Sequence, residues 1–551
     1  MWLDEADGFA EIFKGYLPYY LLVALPIFII MSPVNPVAAS HEFSVYRMQQ
    51  YDLHTVPHGC RSSSFNLEGR SLTSWSTSRH CVVARVQDIT IDQFMEIRSK
   101  AGALLLVLPK NDTVLSPEEK EHIQLLEMAM IQQEVSAPVY FTQWTPEYDD
   151  ILQDLQHSFI TDDKSGTALE AMLNSVSSNG YQIVVSAPTP QKIDSKPVTI
   201  HGKLVGRSGS PQTIVIAAHY DSLGVAPDLS YGADSNASGA VAVLELARIF
   251  SRLYSSASTR GGPSLLFVLT ATGHSLNYFS IKKWLEEHLD SADASLLQDV
   301  SFAMCLDSIS SSGPLRMHVS KPPKAGGAPH SIKERAGVPF THKKINLADE
   351  TLAWHHERFS IRRITAFTLS SLQSHKDPSR SSVLDSYSEA SLKNLVSNIG
   401  SIARALASHI YNLTDEASSE DRDLYDQALG IEEVSVKHWF KYLSSQSRAP
   451  HVITTGSTPL SGVAAALERA LSRYMDVTAN VHTVDKREPE YTLYSPTRAV
   501  VYVYSVKPAV FDLILTVAIV AYLTVIYFAI QFFPKFYEEY AKLVTGKVKV
   551  H

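Results

Sequence analysis

The pattern of apolar and polar positions around which the chain is organised lies between residues 213 and 253. A β-branched apolar run, Thr213–Ala218, predicts a buried strand that ends at the polar residues His219 and Asp221. After a loop, Asn236 or Ser238 can cap a helix. The apolar side chains of that helix recur at helical spacing, at Val241, Leu244, Ala247, Ile249 and Phe250. The pattern predicts a strand–loop–helix unit with polar side chains at the carboxyl end of its strand, where open α/β sheets place their sites.

Apolar runs and amphipathic stretches alternate over residues 166–415, which predicts an α/β fold. Short apolar runs predict strands at 212–218, 265–271, 302–307, 315–319 and 364–370. Amphipathic stretches predict helices at 239–253, 276–290 and 388–412. Strands and helices that alternate with crossover-length connections favour a mostly parallel sheet with helices on both faces.

Two smaller lobes are predicted on either side of this domain. Residues 41–165 predict a small N-terminal α/β lobe in which no residue requires a chemical role. Its elements are strands at 103–108 and 138–142 and a helix at 117–134. Residues 416–505 change in composition and predict a juxtamembrane α+β lobe. Its elements are helices at 434–443 and 463–474 and strands at 480–485 and 498–504.

Residues 1–40 predict a targeting segment. The apolar stretch Tyr16–Met31 is followed by small residues suited to signal peptidase. Four of the five charged residues before it are acidic, and the uncharged stretch Gly15–Ser40 is long enough to span a bilayer. A cleaved signal peptide and a retained anchor therefore both remain open.

A second apolar segment predicts a transmembrane helix near the other end. Leu513–Phe533 is an uncharged run of 21 residues, and a buried helix of a soluble domain is the alternative. Lysines beyond it place the tail, residues 534–551, in the cytosol and the bulk of the chain in the lumen, a type I topology. The last residues, Lys547–His551, are similar to a dilysine retrieval signal, with a plain basic tail as the alternative.

Composition narrows the class of protein. The 551 residues are 45% hydrophobic and carry a net charge of −9, which favours packed domains and argues against a nucleic-acid partner. Three cysteines are too few for a disulfide-dense scaffold. Cys60 and Cys81 could pair in a lumenal domain, whereas Cys305 lies in an apolar strand and is expected to be a buried thiol.

The motif at residues 219–239 resembles that of the zinc aminopeptidase family, which also contains the transferrin receptor and glutaminyl cyclase. The shared features are a His-x-Asp at a strand end and a Gly-Ala-Asp-x-Asn-Ala-Ser-Gly string at a helix start, here Gly232–Gly239. In that family the residue after the first Asp is a second Asp that bridges two zinc ions. Ser235 stands there in this chain, and a neutral hydroxyl is a poor replacement for a bridging carboxylate.

The resemblance implies which other residues would have formed the metal site. His219 matches the first ligand, Asp221 the residue that orients it, Asp307 the ligand Asp and His375 the last His. The Glu pair that supplies a ligand and the general base falls on Thr272 and Gly273. The resemblance therefore implies a remnant pocket with no catalytic residue, no metal and no cofactor, in a pseudoenzyme.

Other candidate ligands are weaker. His274 could replace one Glu, but nothing replaces the base, and a single zinc ion on His219, Asp307 and His375 stays open. The pair Glu286 and Glu287 lies late in a helix and is expected to face solvent. The triplet 355–357 (His-His-Glu) is expected to be a surface or packing cluster.

Four segments resemble a membrane-bound, aminopeptidase-like branch of this family in the endoplasmic reticulum. They are HEFSVYRMQQYDL (41–53), LLQDVSFAMCLD (296–307), KINLADETLAWHHERFSIRR (344–363) and VKPAVFDL (506–513). The resemblance implies a non-catalytic scaffold that assembles with a large lumenal protein, Nodal modulator, and a small multipass subunit. It further implies association with the translocon and ribosome during multipass membrane protein insertion.

Two other functions compete with the scaffold. One is an active zinc metallo-aminopeptidase of the secretory pathway, which the missing Glu pair argues against. The other is a cell-surface receptor ectodomain, which the C-terminal position of the span and the lysine tail argue against. For a lumenal domain, the sequons predict glycans at Asn111 and Asn412, and less so at Asn236, the expected helix cap.

Overall fold

The computed structural model describes residues 41–110, 113–164, 180–207, 209, 212–290, 296–412, 429–454, 460, 462–506 and 509–546. The strands are β1 (His41–Arg47), β2 (Gln50–Leu53), β3 (Val56–Cys60), β4 (Phe65–Ser71), β5 (His80–Arg85), β6 (Ala103–Val107), β7 (Glu134–Val135), β8 (Val139–Thr142), β9 (Gly180–Val185), β10 (Gln191–Ile193), β11 (Val198–Leu204), β12 (Thr213–His219), β13 (Ser264–Thr270), β14 (Val300–Leu306), β15 (Arg316–Val319), β16 (Phe340–His342), β17 (Ala366–Ser370), β18 (Val477–Val481), β19 (Tyr491–Ser495) and β20 (Arg498–Val506). The helices are α1 (Ile91–Lys100), α2 (Pro117–Ile131), α3 (Pro146–Lys164), α4 (Gly239–Ser255), α5 (Phe279–Leu289), α6 (Ala328–Ala336), α7 (His356–Ile361), α8 (Glu389–Ile410), α9 (Glu433–Ser444), α10 (Pro450–Ile453), α11 (Gly462–Leu471) and α12 (Ala509–Gly546).

The main domain is an eight-stranded sheet in the order β16-β15-β17-β14-β12-β13-β11-β18. Its four central strands, β17, β14, β12 and β13, run parallel, so their carboxyl ends meet at one edge. Strands β12, β13 and the last five residues of β14 are buried and mostly apolar, which is typical of a sheet covered on both faces. The predicted α/β fold class is confirmed.

Helices cover both faces of this sheet. On one face α4, α8, α9 and α11 contribute to the largest hydrophobic core, with α6 at its margin. On the other face α5 and α7 pack against the sheet through Ile281, Trp284 and Phe359. Helix α8 begins where the sequence indicates, because Ser388 accepts the amide of Ser391 in a capping box. The strands and helices predicted for this domain differ from the observed ones by at most three residues at either end.

The N-terminal lobe is a closed barrel with helices packed against its strands. Its strand order is β1-β20-β9-β4-β5-β6-β8, and β1 pairs with β8 to close it. Helices α1 and α2 are both fixed by capping boxes, at Thr90 and Ser116. The sequence placed the end of this lobe at residue 165, whereas the barrel also requires β9 and β20.

The segment 416–505 does not form a lobe of its own among the described residues. Helices α9 and α11 bury Phe440 and Leu467 in the core of the main domain, and β18 pairs with β11 at the edge of its sheet. Strand β19 joins a second sheet in the order β10-β19-β2-β3-β7, and β20 completes the barrel. Apolar periodicity indicates that a strand has a buried face but not which sheet receives it, so the predicted juxtamembrane lobe is replaced by parts of three sheets.

Helix α12 contains the predicted span. Leu515–Tyr540 is long and apolar enough to cross a bilayer, and it has no buried part within the described protein. A buried helix of a soluble domain is therefore wrong for this segment. The helix continues through Pro534 to Gly546, beyond the predicted end at Phe533. Residues 1–40, with the predicted signal peptide, and the tail motif 547–551 lie outside the described residues.

All three cysteines are buried and free. The pairing considered for Cys60 and Cys81 is wrong, because Cys60 lies in the core beneath α1 and α2, whereas Cys81 lies in the separate core beneath α3. Cys305 is a buried thiol between β14 and the helices α5 and α7, as predicted.

Candidate functional site: a remnant pocket filled by an internal ion pair

Polar residues meet where the central strands end. His219 is the last residue of β12, Asp221 follows it, and Asp307 follows β14. All three side chains are almost completely buried. Because these strands are parallel neighbours, the topology brings the three predicted residues to one place. We refer to His219, Asp221, Asp307 and the side chains that contact them as the remnant pocket.

Asp221 orients His219, as predicted. Its Oδ1 is 2.8 Å from His219 Nδ1, and its Oδ2 accepts the backbone N–H of Gly273 at 2.8 Å. A Cβ at Gly273 would lie 2.7 Å from His219 Nδ1. The position at which the family carries a Glu is therefore packed against the histidine ring, and a larger side chain requires the ring to move.

Thr272 occupies the other Glu position and is also fully engaged. Its Oγ1 accepts the backbone N–H of Ser280 at 2.8 Å and lies 2.9 Å from Ser280 Oγ. Ser280 lies in the first turn of α5, so the Thr272 hydroxyl satisfies one of the unpaired amide groups there. Neither Thr272 nor Gly273 offers a carboxylate or a base to the pocket.

A guanidinium group is bound to Asp307, the residue that the resemblance implies as a metal ligand. Arg380, in the turn Pro378–Ser381, donates a short hydrogen bond to Asp307 Oδ2. The same side chain donates to Tyr278 Oη at 2.6 Å and to the carbonyl of Ala353 at 2.9 Å, and it lies over the ring of Trp354. Arg380 is fully enclosed, so its charge is balanced mainly by Asp307.

The charged groups of the remnant pocket shift one another's pKa values. Burial acts to raise the pKa of Asp307, but Arg380 and His219 outweigh it and hold that pKa far below its usual range. His219 Nε2 lies 3.7 Å from Asp307 Oδ1. Burial acts to lower the pKa of His219, but the hydrogen bond with Asp221 and the nearby charge of Asp307 raise it to about 9. The raised pKa favours the protonated ring, and His219 Nε2 has no hydrogen-bond partner within the described residues.

His375 does not join this arrangement. Its ring is half-buried, and it makes no hydrogen bond or ion pair with Asp307 or His219 within the described chain. Burial, Lys343 and Arg380 lower the pKa of His375 to about 4. Arg380, five residues further along the same loop, therefore contacts Asp307, whereas His375, the predicted last ligand, does not.

Two further carboxylates, those of Asp234 and Asp385, lie next to Ser235, the residue at the bridging position. Asp234 Oδ1 accepts both the N–H and the hydroxyl of Ser310, at 2.7 and 2.8 Å. Asp385 in turn accepts the backbone N–H groups of Asp234 and Ser235, at 2.8 and 2.9 Å. Burial and the adjacent Asp234 raise the pKa of Asp385. These carboxylates hold backbone and hydroxyl groups, and neither bonds to His219 or Asp307.

Asn236 connects the ends of β12 and β14 through hydrogen bonds. Its side-chain nitrogen donates to the carbonyls of His219 and Leu306, both at 3.0 Å, and its oxygen accepts the N–H of Gly239 and of Ser308, both at 3.1 Å. The predicted capping role at the start of α4 is therefore present. The amide is completely buried, so Asn236 is not accessible to a glycosyltransferase in the folded protein.

The weaker candidates lie in different surroundings. His274 Nε2 lies 3.0 Å from Ser381 Oγ, on the loop that carries Arg380. Glu287 is half-exposed and contacts His482 Nδ1 at 2.9 Å, and Glu286 pairs with Lys283. Neither Glu reaches the pocket, as expected for a helix surface.

Of the two alternatives predicted for residues 355–357, a surface or a packing cluster, His355 belongs to a packing cluster. Its ring is fully buried and stacks on Tyr278, with centroids 5.1 Å apart, and lies 6.3 Å from the ring of His219. Burial lowers its pKa to about 3, so the ring is neutral. Neither ring nitrogen has a hydrogen-bond partner within the described residues. Sequence reasoning also missed Arg380 and Tyr278, whose spacing from the motif carries no recognisable signal.

The N-terminal lobe encloses the loops of the pocket. Val225, Ala226 and Leu229, in the loop after β12, pack into the core beneath α1 and α2. Glu127 of α2 accepts the N–H of Val383 at 3.0 Å, three residues after Arg380. Contacts between the lobes thus hold the two loops that surround Asp234 and Arg380.

The residues present do not fit a zinc centre. The described chain has no group of three or more His, Cys, Asp or Glu side chains arranged to hold a metal ion. Asp307 is bound to a guanidinium, and Ser235, Thr272 and Gly273 supply no charge. The arrangement can hold an internal ion pair, and it lacks the acid–base pair that metal-assisted hydrolysis requires.

Comparisons with known proteins agree with the resemblance at the motif. The sequence profile of Peptidase family M28 matches residues 199–272. The human protein named BOS complex subunit NCLN is 40% identical, over 98% of this chain and 99% of that protein. The zebrafish (Danio rerio) protein of the same name is 39% identical over the same shares, and the Caenorhabditis elegans protein named Nicalin is 30% identical over 95% and 96%.

A solved structure shows that the fold extends beyond the motif. Nicastrin, a component of gamma-secretase, superposes with a TM-score of 0.57 at 11% identity, over 84% of this chain and 99% of that one. At this identity the likeness concerns the fold alone. It supports the aminopeptidase-like architecture described above.

Proposed function

The chain belongs to the nicalin family, and from this premise we propose that it is a non-catalytic scaffold subunit of a membrane protein complex in the endoplasmic reticulum. In this proposal it assembles with a lumenal protein of the Nodal modulator type and a small multipass subunit. The assembly acts beside the translocon during multipass membrane protein insertion. The printed names of the vertebrate relatives, as BOS complex subunits, support the general role of a complex subunit.

The observation that carries the non-catalytic role is the ion pair between Arg380 and Asp307. An arginine cannot release its charge at physiological pH, so it neutralises Asp307 permanently. A dication at the same place would have to displace a buried guanidinium that also bonds Tyr278 and Ala353. The pocket is therefore better suited to holding strand ends and loops together than to binding a reactant.

The C-terminal helix supports membrane attachment through a single span. Leu515–Tyr540 is the one candidate span in the described chain. The lysines beyond it support a lumenal bulk and a cytosolic tail. Asn412 is exposed at the end of α8 and is the glycan site we propose within the described residues, whereas Asn111 lies outside them.

The test is purification of the full-length protein from membranes in mild detergent. We expect zinc near zero per chain by elemental analysis, no hydrolysis of aminoacyl substrates, and co-purification of a large lumenal and a small multipass protein. The variant His219→Gln should recover the same companions, because the pocket serves no catalysis.

The competing function makes the opposite prediction. An active zinc aminopeptidase would contain two zinc ions per chain and would lose turnover in His219→Gln. Either of these results would overturn the non-catalytic role. Recovery of the protein without companions would overturn the scaffold role.

A further inference from the structure

A groove with a volume of about 990 Å³ lies at the end of the main sheet opposite the remnant pocket. It is bounded by the amino ends of β14 and β17, the carboxyl end of β15 and the start of α6. Its apolar lining is formed by Val319, Pro322, Pro323, Pro329, Ile345 and Ile364. We refer to this surface as the basic groove.

The charged residues of the basic groove all have one sign. Lys321, Lys324, Lys344 and Arg363 line it and are exposed, and no Asp or Glu is among its lining residues. None of the four has a carboxylate partner within the described chain. The groove is therefore a positively charged surface on a protein whose net charge is −9.

The walls of the groove are held in place. Ser320, where the loop with Lys321 begins, is buried and its hydroxyl lies 3.0 Å from His356 Nε2. Its carbonyl lies 3.1 Å from His342 Nε2, at the end of β16. The groove therefore has a fixed shape at the point where its cationic loop leaves the sheet.

The distribution of the cations indicates the kind of ligand. They come from three separate connections, after β15, after β16 and before β17. A single phosphate group is normally held by donors that converge on one point, whereas dispersed cations around an apolar floor match a chain with several carboxylates and apolar side chains. The volume also exceeds that of a small anion.

We propose that the basic groove binds an extended acidic segment of a partner protein, with apolar side chains on the floor and carboxylates at the four cations. Such a segment gains affinity from apolar burial and orientation from charge. The proposal concerns a surface separate from the remnant pocket, and it does not depend on the companions or the cellular role proposed above.

The experiment measures binding of a fluorescein-labelled peptide of alternating glutamate and valine to the full-length protein in detergent. The variant Lys321→Glu/Lys324→Glu/Lys344→Glu should raise its Kd by about tenfold or more, since each exposed pair contributes a small but additive amount. Added salt should weaken binding to the wild type more than to the variant. The variant should fold normally, because the three side chains are exposed and unpaired.

The matched control reverses three exposed lysines elsewhere, in Lys120→Glu/Lys192→Glu/Lys393→Glu. It has the same net charge and should bind the peptide with nearly the wild-type Kd. Equal weakening by both triple variants, or no binding by the wild type, would overturn the proposal. Competition by inorganic phosphate, or lysine-dependent binding to phosphatidylserine vesicles in place of the peptide, would assign the groove to a phosphate or a membrane instead. Failure of the peptide leaves the co-purification result intact, so the two proposals fail separately.

Discussion

The two ends of the main sheet differ in whether their charged side chains are buried and paired or exposed and unpaired. At the carboxyl ends of β12 and β14, the buried cations Arg380 and His219 are balanced by the buried carboxylates of Asp307 and Asp221. At the amino ends of β14 and β17, Lys321 and Lys344 are exposed and unpaired. The same scaffold thus carries one charge cluster that is satisfied internally and another that is open to solvent.

The difference follows from the cost of burying a charge. An ion removed from water requires a partner and hydrogen bonds, so every charge in the remnant pocket is committed to its neighbours. An exposed ammonium group is solvated and has no such requirement. We therefore expect substitutions in the remnant pocket to change stability, and substitutions in the basic groove to change binding of the acidic segment proposed above. Three measurements test this contrast.

The largest effect is expected for Arg380→Met. The substitution leaves Asp307 buried without its main partner, which should lower the free energy of unfolding by about 3–5 kcal/mol. Thermal unfolding of the purified full-length protein measures this as a lower Tm. The control Lys344→Met removes an unpaired cation from the basic groove and should change stability by less than about 0.5 kcal/mol.

A second variant distinguishes lost charge pairing from lost packing. Adding Asp307→Asn to Arg380→Met should restore a large part of the stability, because no unpaired charge then remains. If Arg380→Met is no more destabilising than Lys344→Met, the pocket is not held by its ion pair and the comparison fails.

The next effect is a dependence of stability on pH through His219. Its pKa is about 9 in the folded protein and near 6.5 when unfolded. A raised pKa means that the folded state binds the proton more tightly, so this contribution is complete below about pH 6.5 and is lost as pH rises through about 9. The loss amounts to about 3 kcal/mol.

The measurement compares the pH dependence of Tm between the wild type and His219→Gln. Other titrating groups are common to both proteins, so the difference isolates His219. The gap in stability should be widest below pH 6.5 and should narrow toward pH 10. A gap that stays constant over this range would show that His219 is neutral in the pocket.

The smallest effect compares two buried threonines at the end of β13. Thr272→Val removes the acceptor for the N–H of Ser280 and should cost about 1–2 kcal/mol. Thr270→Val is a matched control, because the Thr270 hydroxyl is equally buried but has no partner within the described chain. Its replacement should leave the Tm unchanged or raise it. Equal losses in both variants would show that Thr272 matters only through its shape.

The local elements were predictable because their signals are local. The apolar run before His219 has the length of a buried strand, and Ser388 carries a capping signal for α8. Periodicity therefore located the main strands and helices to within a few residues. The strand-end argument placed His219 and Asp221 at the carboxyl edge of the sheet, whereas Asp307 was assigned through the resemblance to the zinc aminopeptidase family.

Long-range assignments failed where the chain returns to an earlier sheet. Strand β20 closes a barrel that β1 opens, and β18 extends the sheet that β11 borders, across hundreds of residues. Pairing partners depend on which edges remain open after the rest of the chain has packed, and a single strand's pattern does not contain this information.

The sequence by itself determined that this chain has an aminopeptidase-like α/β fold, an apolar C-terminal span and a motif without its bridging Asp and Glu pair. Only the tertiary structure decided what replaced them. It brought Arg380 into contact with Asp307, left His375 without a bond to Asp307, and stacked His355 on Tyr278. The reason is that a buried carboxylate takes whichever cation the surrounding loops can bring within hydrogen-bonding distance, and loop paths are set by packing between lobes rather than by spacing along the chain.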